Sequence, residues 1–418
     1  MNTMLKVMCG ALGLAFSGAA LASGFALQNQ TGSGNGNAFA GAAAVAEDAG
    51  TIFFNPAGMM NLPAGHHLTL AGTLLDRSID FTNKGTSILS FTGTNGGDAG
   101  GLALIPAGYF SYQLSPGVRI GLGVSPTFGN VTEYDRNFIG RFSGYYADLK
   151  QININPSIAF KVSDALSLGF GLNWAKSEVE FRQMVPVGVA TQTLATLKGD
   201  DDAWGWNAGL MWQISNATRL GIAYRSTIEF DLEGDQNVAG IPASSFAIRS
   251  ELETPDTFSV ALSHQLNERL QLLADYTWTG WSSVRSLPVI HAASGTRINA
   301  LSYNFEDTWR VGIGANYRLN DQWLLRFGIA HDKAPVEREA DRTMTLPDSD
   351  RTWLSFGAKW AMSKDGSLDF GYSHIFFKDA STARAVAYPG AQAAFNHTVR
   401  GDIETSADLL SVQYNHKF

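Results

Sequence analysis

The sequence predicts an all-β protein, a fourteen-stranded antiparallel transmembrane β-barrel whose lumen is plugged by an N-terminal hatch. Three observations predict it. Charged residues make up 16 % of the 418 positions, below the usual quarter, while aromatics reach 11 % and glycine numbers 44. Period-two alternation recurs fourteen times from His66 onward. Short and long connections between these stretches alternate strictly, as they do when one barrel rim faces the periplasm and the other the exterior.

Residues 1–22 read as a signal peptide. Lys6 supplies the positive start, Val7 to Ala20 the apolar core, and Ala20-Leu21-Ala22 the small-residue cleavage site. Cleavage removes Lys6 and the single cysteine, Cys9, so the formal net charge falls from −8 to −9 and no thiol chemistry remains. That charge, with no basic stripe, argues against nucleic acid as a partner. No 18-residue apolar run follows, which excludes helical spans.

Residues 23–65 form the expected hatch. They are rich in Gly, Ala, Asn and Ser, and their apolar residues come in knots at Phe25–Leu27, Phe39 and Ile52-Phe53-Phe54. Such a segment buries too little apolar surface to order by itself. Inside a wide barrel it has a wall to fold against.

The barrel takes residues 66–418. Its strands are expected at 66–76, 103–114, 117–126, 148–162, 166–181, 203–214, 218–233, 250–264, 270–286, 303–318, 322–334, 352–362, 367–379 and 406–418. In the sixth, Trp204, Trp206, Leu210, Trp212 and Ile214 share one face, opposite Asn207, Gly209 and Gln213. In the tenth and eleventh, Trp309, Val311, Ile313, Phe327 and Ile329 oppose Arg310, Gly312, Gly314 and Arg326. The apolar face belongs to lipid and the small or polar face to the lumen. Short turns such as Ser115-Pro116 and Asn320-Asp321 alternate with long loops at 77–102, 127–147, 182–202, 234–249, 287–302, 335–351 and 380–405. Trp174, Trp204, Trp278, Trp281, Trp309, Trp323, Trp353 and Trp360 are expected in the interfacial girdles. The terminal Phe418, on an amphipathic last strand, resembles the signal that outer-membrane proteins present to the barrel-assembly machinery.

Short motifs follow one another in order along nearly the whole mature chain. The hatch carries Gly24-Phe25, Ser33-Gly34-Asn35-Gly36, Glu47-Asp48-Ala49-Gly50 and Asn55-Pro56-Ala57-Gly58. The barrel continues with Phe128-Gly129, Glu133-Tyr134-Asp135, Phe138-Ile139-Gly140-Arg141, Asn153-Ile154-Asn155-Pro156-Ser157 and Gly205-Trp206-Asn207-Ala208-Gly209. Tyr224-Arg225-Ser226, Thr277-Trp278-Thr279-Gly280-Trp281-Ser282, Asp307-Thr308-Trp309-Arg310, Pro335-Val336 and Leu346-Pro347-Asp348-Ser349-Asp350-Arg351 follow. In this order they resemble the FadL/TodX family of outer-membrane transporters of long-chain fatty acids and hydrocarbons.

The resemblance implies a path for a hydrophobic substrate. An outer groove between the third and fourth long loops would take Val185, Val187, Leu194 and Leu197 on one side and Val238, Ile241 and Phe246 on the other, unless these residues simply pack the loops together. An apolar pocket over the hatch would use Phe25, Leu27, Phe39, Phe53, Phe54, Val179 and Phe181, with movement of Gly24 and Phe25 controlling release. Asn55, Pro56 and Ala57 would seat the hatch on the wall. Gly121, Gly123 and Pro126 would allow an inward kink of the third strand and a lateral gap, because glycine weakens a strand and proline removes a ladder donor. Arg182, Arg310 and Arg326 are candidates for a substrate carboxylate, or else for internal ion pairs with Glu133, Asp275 or Glu306. Some fatty-acid-transporting relatives carry a basic residue near Glu306, so an acid there favours a neutral hydrophobe.

The expected partners are a hydrophobic small molecule such as a fatty acid, outer-membrane lipid and lipopolysaccharide, and the barrel-assembly machinery; the chain is expected to be a monomer and to need no cofactor or metal. Alternatives are a channel for neutral aromatic or aliphatic hydrocarbons, an outer-membrane lipid hydrolase and a polar-solute porin. The hydrolase is disfavoured because the eight histidines are scattered and no G-x-S-x-G elbow occurs.

Overall fold

The computed structural model describes residues 24–388 and 390–418, so the expected leader lies outside the described residues. Fourteen antiparallel wall strands close a barrel. They are β1 (His67–Asn83), β2 (Gly101–Ser115), β3 (Val118–Glu133), β4 (Tyr146–Lys161), β5 (Leu166–Gly188) and β6 (Thr191–Gln213). The next four are each interrupted once: β7 (Thr218–Arg225, Ile228–Val238), β8 (Phe246–Thr254, Thr257–Gln265), β9 (Leu270–Thr279, Ser286–His291) and β10 (Arg297–Ser302, Thr308–Arg318). β11 (Trp323–Asp332), β12 (Arg351–Ala361), β13 (Gly366–Phe377) and β14 (His397–Lys417) complete the wall, and Ala380–Val386 adds a ribbon on β14 outside it. Closure comes from β1 pairing with β14 over its whole length, His67 opposite Lys417 and Asn83 opposite Gly401. Closing the ring pairs wall backbone groups with one another where lipid offers no partner, save where two neighbouring strands part as described below.

Side-chain faces follow the alternation. Trp204, Trp206, Trp212, Ile313, Phe327, Ile329, Leu410 and Val412 are exposed on the outer surface, while Asn207, Arg310, Asn316 and Arg326 are buried in the lumen. β5 and β6 have 23 residues each, more than twice the roughly 9–11 a tilted strand needs to cross a bilayer, so their outer halves stand above it. The expected loop at 182–202 is therefore mostly this hairpin, and 234–249, 287–302 and 380–405 also carry strand. Lipid no longer dictates the outer face of these segments, which weakens the alternation but not the ladder.

The hatch is a string of single turns: Gly32–Asn35, Ala42–Val45, Thr51–Phe54 and the 3-10 turn Pro56–Asn61. Its order comes from the wall. Asn35 Nδ2 donates to Ser411 Oγ (2.9 Å) and Asn37 Nδ2 to the Phe327 carbonyl (3.1 Å). The Asp48 carboxylate accepts from Ser33 Oγ and Gln413 Nε2, both at 2.8 Å. Arg326 Nη1 and Nη2 grip Glu47 at 2.7 and 2.9 Å, and Nη2 also meets Asp369 at 2.6 Å. At the periplasmic rim Arg119 donates to the carbonyls of Leu62, Pro63 and Gly65, fixing the exit of the hatch.

Candidate functional site

The breaks in β7 to β10 lie at one height and shape the lumen there. Pro255, which has no N–H to donate, sits in the break of β8, and Gly280 to Arg285 leave the ladder of β9 in a short 3-10 turn. Released from the wall, Trp281 and Phe305 are buried inside the barrel. Phe25 meets Trp281 edge-on with centroids 4.8 Å apart and Phe128 at 5.6 Å; Trp281 meets Phe305 at 5.6 Å. These four rings form one aromatic knot across the lumen.

Two polar contacts hold the chain at this knot. Gly24 N donates to Asp348 Oδ2 (2.7 Å), and Asp348 Oδ1 pairs with Arg351 Nη2 (2.5 Å). Gly24 adopts φ +67°, and a Cβ there would lie 2.6 Å from the Trp281 ring, so only glycine fits. The following residues form a short bridge to β3: Leu27 N donates to the Thr127 carbonyl (2.8 Å), and Gly129 N to the Phe25 carbonyl (2.9 Å).

That bridge is possible because β3 has lost its other neighbour. The β2–β3 ladder runs from Ser115/Val118 only to Gly108/Val124. Beyond it, β2 pairs only with β1, and β3 only with β4 and the bridge from residues 25–27. The β3–β4 register shifts between Pro126 and Phe128, where the proline lacks a donor. Gln30 spans the parting strands: its Nε2 donates to the Pro126 carbonyl (2.8 Å), and its Oε1 accepts from Tyr109 Oη of β2 (2.8 Å).

Two cavities flank the knot. The upper one, about 840 Å³, is lined by Phe25, Leu149, Val179, Phe181, Leu197, Leu232, Ile248, Leu252, Leu287, Val289, Leu301 and Leu346; its charged lining residues, Glu180 and Lys198, pair with each other at 3.1 Å. The lower one, about 890 Å³, has Leu27, Phe39, Phe53 and Phe54 of the hatch on one side and Thr127 and Phe128 of β3 at its edge. Its opposite wall is polar, with Asn207, Arg225, Thr257, Ser259, Asp275, Thr277 and Arg310.

Asn55, Pro56 and Ala57 lie flush against β5, β6 and β7. Asn55 Nδ2 donates to the carbonyls of Ala43 (2.8 Å) and Leu210 (3.0 Å), and its Oδ1 accepts from Ala57 N (3.1 Å). The fit requires glycine on the wall: a Cβ at Gly209 would lie 2.0 Å from Asn55 Oδ1, and one at Gly169 would lie 2.2 Å from Ala57 N.

The expected apolar residues thus divide between two cavities, with Phe25, Val179, Phe181 and Leu197 in the upper and Leu27, Phe39, Phe53 and Phe54 in the lower. Several expectations need correction. Arg326 lines neither cavity, being consumed by Glu47 and Asp369; Arg182 pairs with Glu180 at 2.6 Å and stacks over Tyr146. Arg310 does face the lower cavity but is tied to Asp275 (3.0 Å) and the Ala38 carbonyl. Glu306 is exposed and lines neither cavity. Gly121 seats the hatch, since a Cβ there would meet Met59 and Ile52, while one at Gly123 would press on the Tyr109 ring of β2; the break itself begins at Pro126. Val185, Val187, Leu194, Val238, Ile241 and Phe246 line neither cavity: Ala195 opposes Val238 in one continuous sheet, so the two segments do not face each other across a groove. Trp281 and Trp353 are core rather than girdle. Sequence reasoning missed the roles of Phe128, Trp281, Phe305 and Asp348. All but Phe305 lay in motifs already singled out, yet nothing local says that residues so far apart meet.

A profile of the outer membrane protein transport protein family (OMPP1/FadL/TodX) matches residues 13–418. The chain is 29 % identical to outer membrane protein P1 of Haemophilus influenzae, with 96 % of each chain covered. It is 27 % identical to the long-chain fatty acid transport protein of Escherichia coli K12, covering 85 % of this chain and 88 % of that one. Its structure is similar to that of a Pseudomonas aeruginosa FadL homologue, with a TM-score of 0.86 at 25 % identity over 95 % of this chain and 100 % of the other. The Pseudomonas putida toluene transporter TodX shares the fold at a TM-score of 0.71 and 16 % identity, over 95 % of this chain and 100 % of that one. A plugged barrel with this whole-length match is a transport protein, not an enzyme, and the chain belongs to the OMPP1/FadL/TodX family of the Gram-negative outer membrane.

Proposed function

We propose that the chain carries hydrophobic molecules, long-chain fatty acids or related hydrophobes, from the cell surface into the outer membrane. The substrate is captured at the outer rim and held in the upper cavity against Phe25. Displacement of residues 24–27 then admits it to the lower cavity, and it leaves sideways between β2 and β3. The observation that carries this reading is that one segment does two jobs: Phe25 separates the cavities, and its own backbone occupies the place β2 has vacated beside β3. Moving that segment would open both at once. Each CH₂ taken from water contributes about 0.8 kcal/mol, so an apolar route favours long chains where a wet pore would not.

Membrane lipid is the acceptor in this scheme, with lipopolysaccharide around the outer half of the wall. The last strand, with Leu410, Val412 and Phe418 exposed, is the surface the assembly machinery would read, and one barrel suffices as a monomer.

The test is a disulfide across the parting strands, Ala107→Cys with Ser125→Cys, positions one step beyond the last β2–β3 pair. Oxidised protein should lose oleate uptake and regain it on reduction. Uptake that is equal in both states rules out the lateral exit.

A further inference from the structure

We infer that the lower cavity is an anion site: Arg225 receives the carboxylate of an amphiphile whose tail lies on the hatch. This rests on the proposed function and adds the headgroup and the place where it is read.

The lining carries three ionisable groups of fixed charge, Arg225, Arg310 and Asp275. Arg310 and Asp275 pair at 3.0 Å and cancel. Arg225 has no carboxylate partner among the described residues. Its Nη1 donates to Asn173 Oδ1, its Nη2 to the Phe53 carbonyl (3.0 Å), and its guanidinium lies 4.6 Å from the Phe53 ring centroid. The cavity therefore holds one uncompensated positive charge, which suits a monoanion. Buried charges are ordinarily paired, because desolvation penalises them severely.

A second, independent feature points the same way. Asn207 stands opposite Arg225 across β6 and β7. Its Oδ1 accepts from Asn155 Nδ2 (2.9 Å) and Asn173 Nδ2 (3.0 Å), which fixes the amide orientation. Its Nδ2 is then left buried with no acceptor, and so is Nε of Arg310. Both residues are only 3 % exposed. Surplus N–H donors and surplus positive charge on one wall lack the same thing, an anionic oxygen. Leu27, Phe39 and Phe54 of the hatch offer apolar surface to the same cavity, beside the Phe53 ring that the guanidinium covers. Polar head on the wall and tail on the hatch is the arrangement a fatty carboxylate would take; the upper cavity, whose charges are already paired, has no such provision.

The experiment compares oleate with methyl oleate, of equal chain length but uncharged, by equilibrium dialysis against the full chain in neutral detergent. Native protein should prefer oleate. Arg225→Gln should weaken oleate about tenfold, the usual scale for one charge-assisted pair, and leave methyl oleate within about twofold. Arg225→Lys, which keeps the charge, should hold most of the preference; a general loosening of the hatch would instead weaken both ligands in both variants and overturns the assignment. An unchanged oleate to methyl oleate ratio in Arg225→Gln also overturns it, while leaving hydrophobic transport intact. Native protein that binds neither ligand sinks the proposed function, and the anion site with it.

Discussion

Replacing Glu47 by glutamine should loosen the hatch without unfolding the barrel. Glu47 receives both guanidinium ends of Arg326, at 2.7 and 2.9 Å, and Lys359 approaches at 3.8 Å. Arg326 is wholly buried and retains Asp369 at 2.6 Å in the variant, so no charge is stranded. The loss is then one of two charge-assisted contacts, about 2–3 kcal/mol at the roughly 1.5–3 kcal/mol such bonds contribute. That raises the population of a loosened hatch about 30- to 150-fold. Hydrogen exchange of residues 42–54, read by mass spectrometry against barrel peptides as internal standard, measures it. Arg326→Met goes further, because it strips Asp369 of its ion-pair partner and leaves Glu47 with Lys359 alone, at about 3–5 kcal/mol. Burial alone would raise the Glu47 carboxyl, but Arg326 and Lys359 outweigh it and hold it at about 2. A carboxyl depressed in the folded state contributes fully above its ordinary pKa of 4.5 and loses that contribution as pH falls toward 2. Native hatch protection should be the same at pH 7 and pH 5 and decline at pH 3. Unchanged exchange in Glu47→Gln would refute the clamp.

Two further outcomes follow from the geometry. Asp348→Ala removes the acceptor of Gly24 N and should release the leading segment by about 2 kcal/mol, roughly thirtyfold in the opened fraction; a spin label at residue 26 reads it as a new mobile component, and an unchanged spectrum counts against the tether. Gly209→Ala puts a methyl where Asn55 Oδ1 sits 2.0 Å away and should cost about 1–3 kcal/mol at that seat, seen as faster exchange at residues 55–60 with barrel peptides unaffected.

The barrel was legible because lipid allows so little choice. Trp204, Trp206 and Trp212 on one face, against Asn207 and Gly209 on the other, dictate which side meets the bilayer, and the short turns dictate which rim is periplasmic. Legibility stopped where that constraint stops. Above the membrane, β5 and β6 continue for many residues with no lipid to dictate their outer face, and pattern alone reads them as loop. Inside, an aromatic looks the same on paper whether it faces lipid or core: Trp281 resembles a girdle residue, yet it closes over Phe25 because Pro255 and the neighbouring breaks turn it inward. The arginines show the same limit. Arg310 and Arg326 were readable as lumen residues, but which one is spent on Asp275 or Glu47, and that Arg225 is left without an acid, depends on contacts between residues far apart in the chain.

By itself, then, the sequence determined the barrel and its strand number and set the N-terminal segment apart from the wall, because periodicity, or its lack, is a property of a few neighbouring residues. Only the tertiary structure decided that the plug's first residues stand in for a missing strand pairing, that two cavities meet at one aromatic knot, and which buried charge goes uncompensated. Those are sums over partners brought together by closing the sheet, and closure is a property of the whole chain.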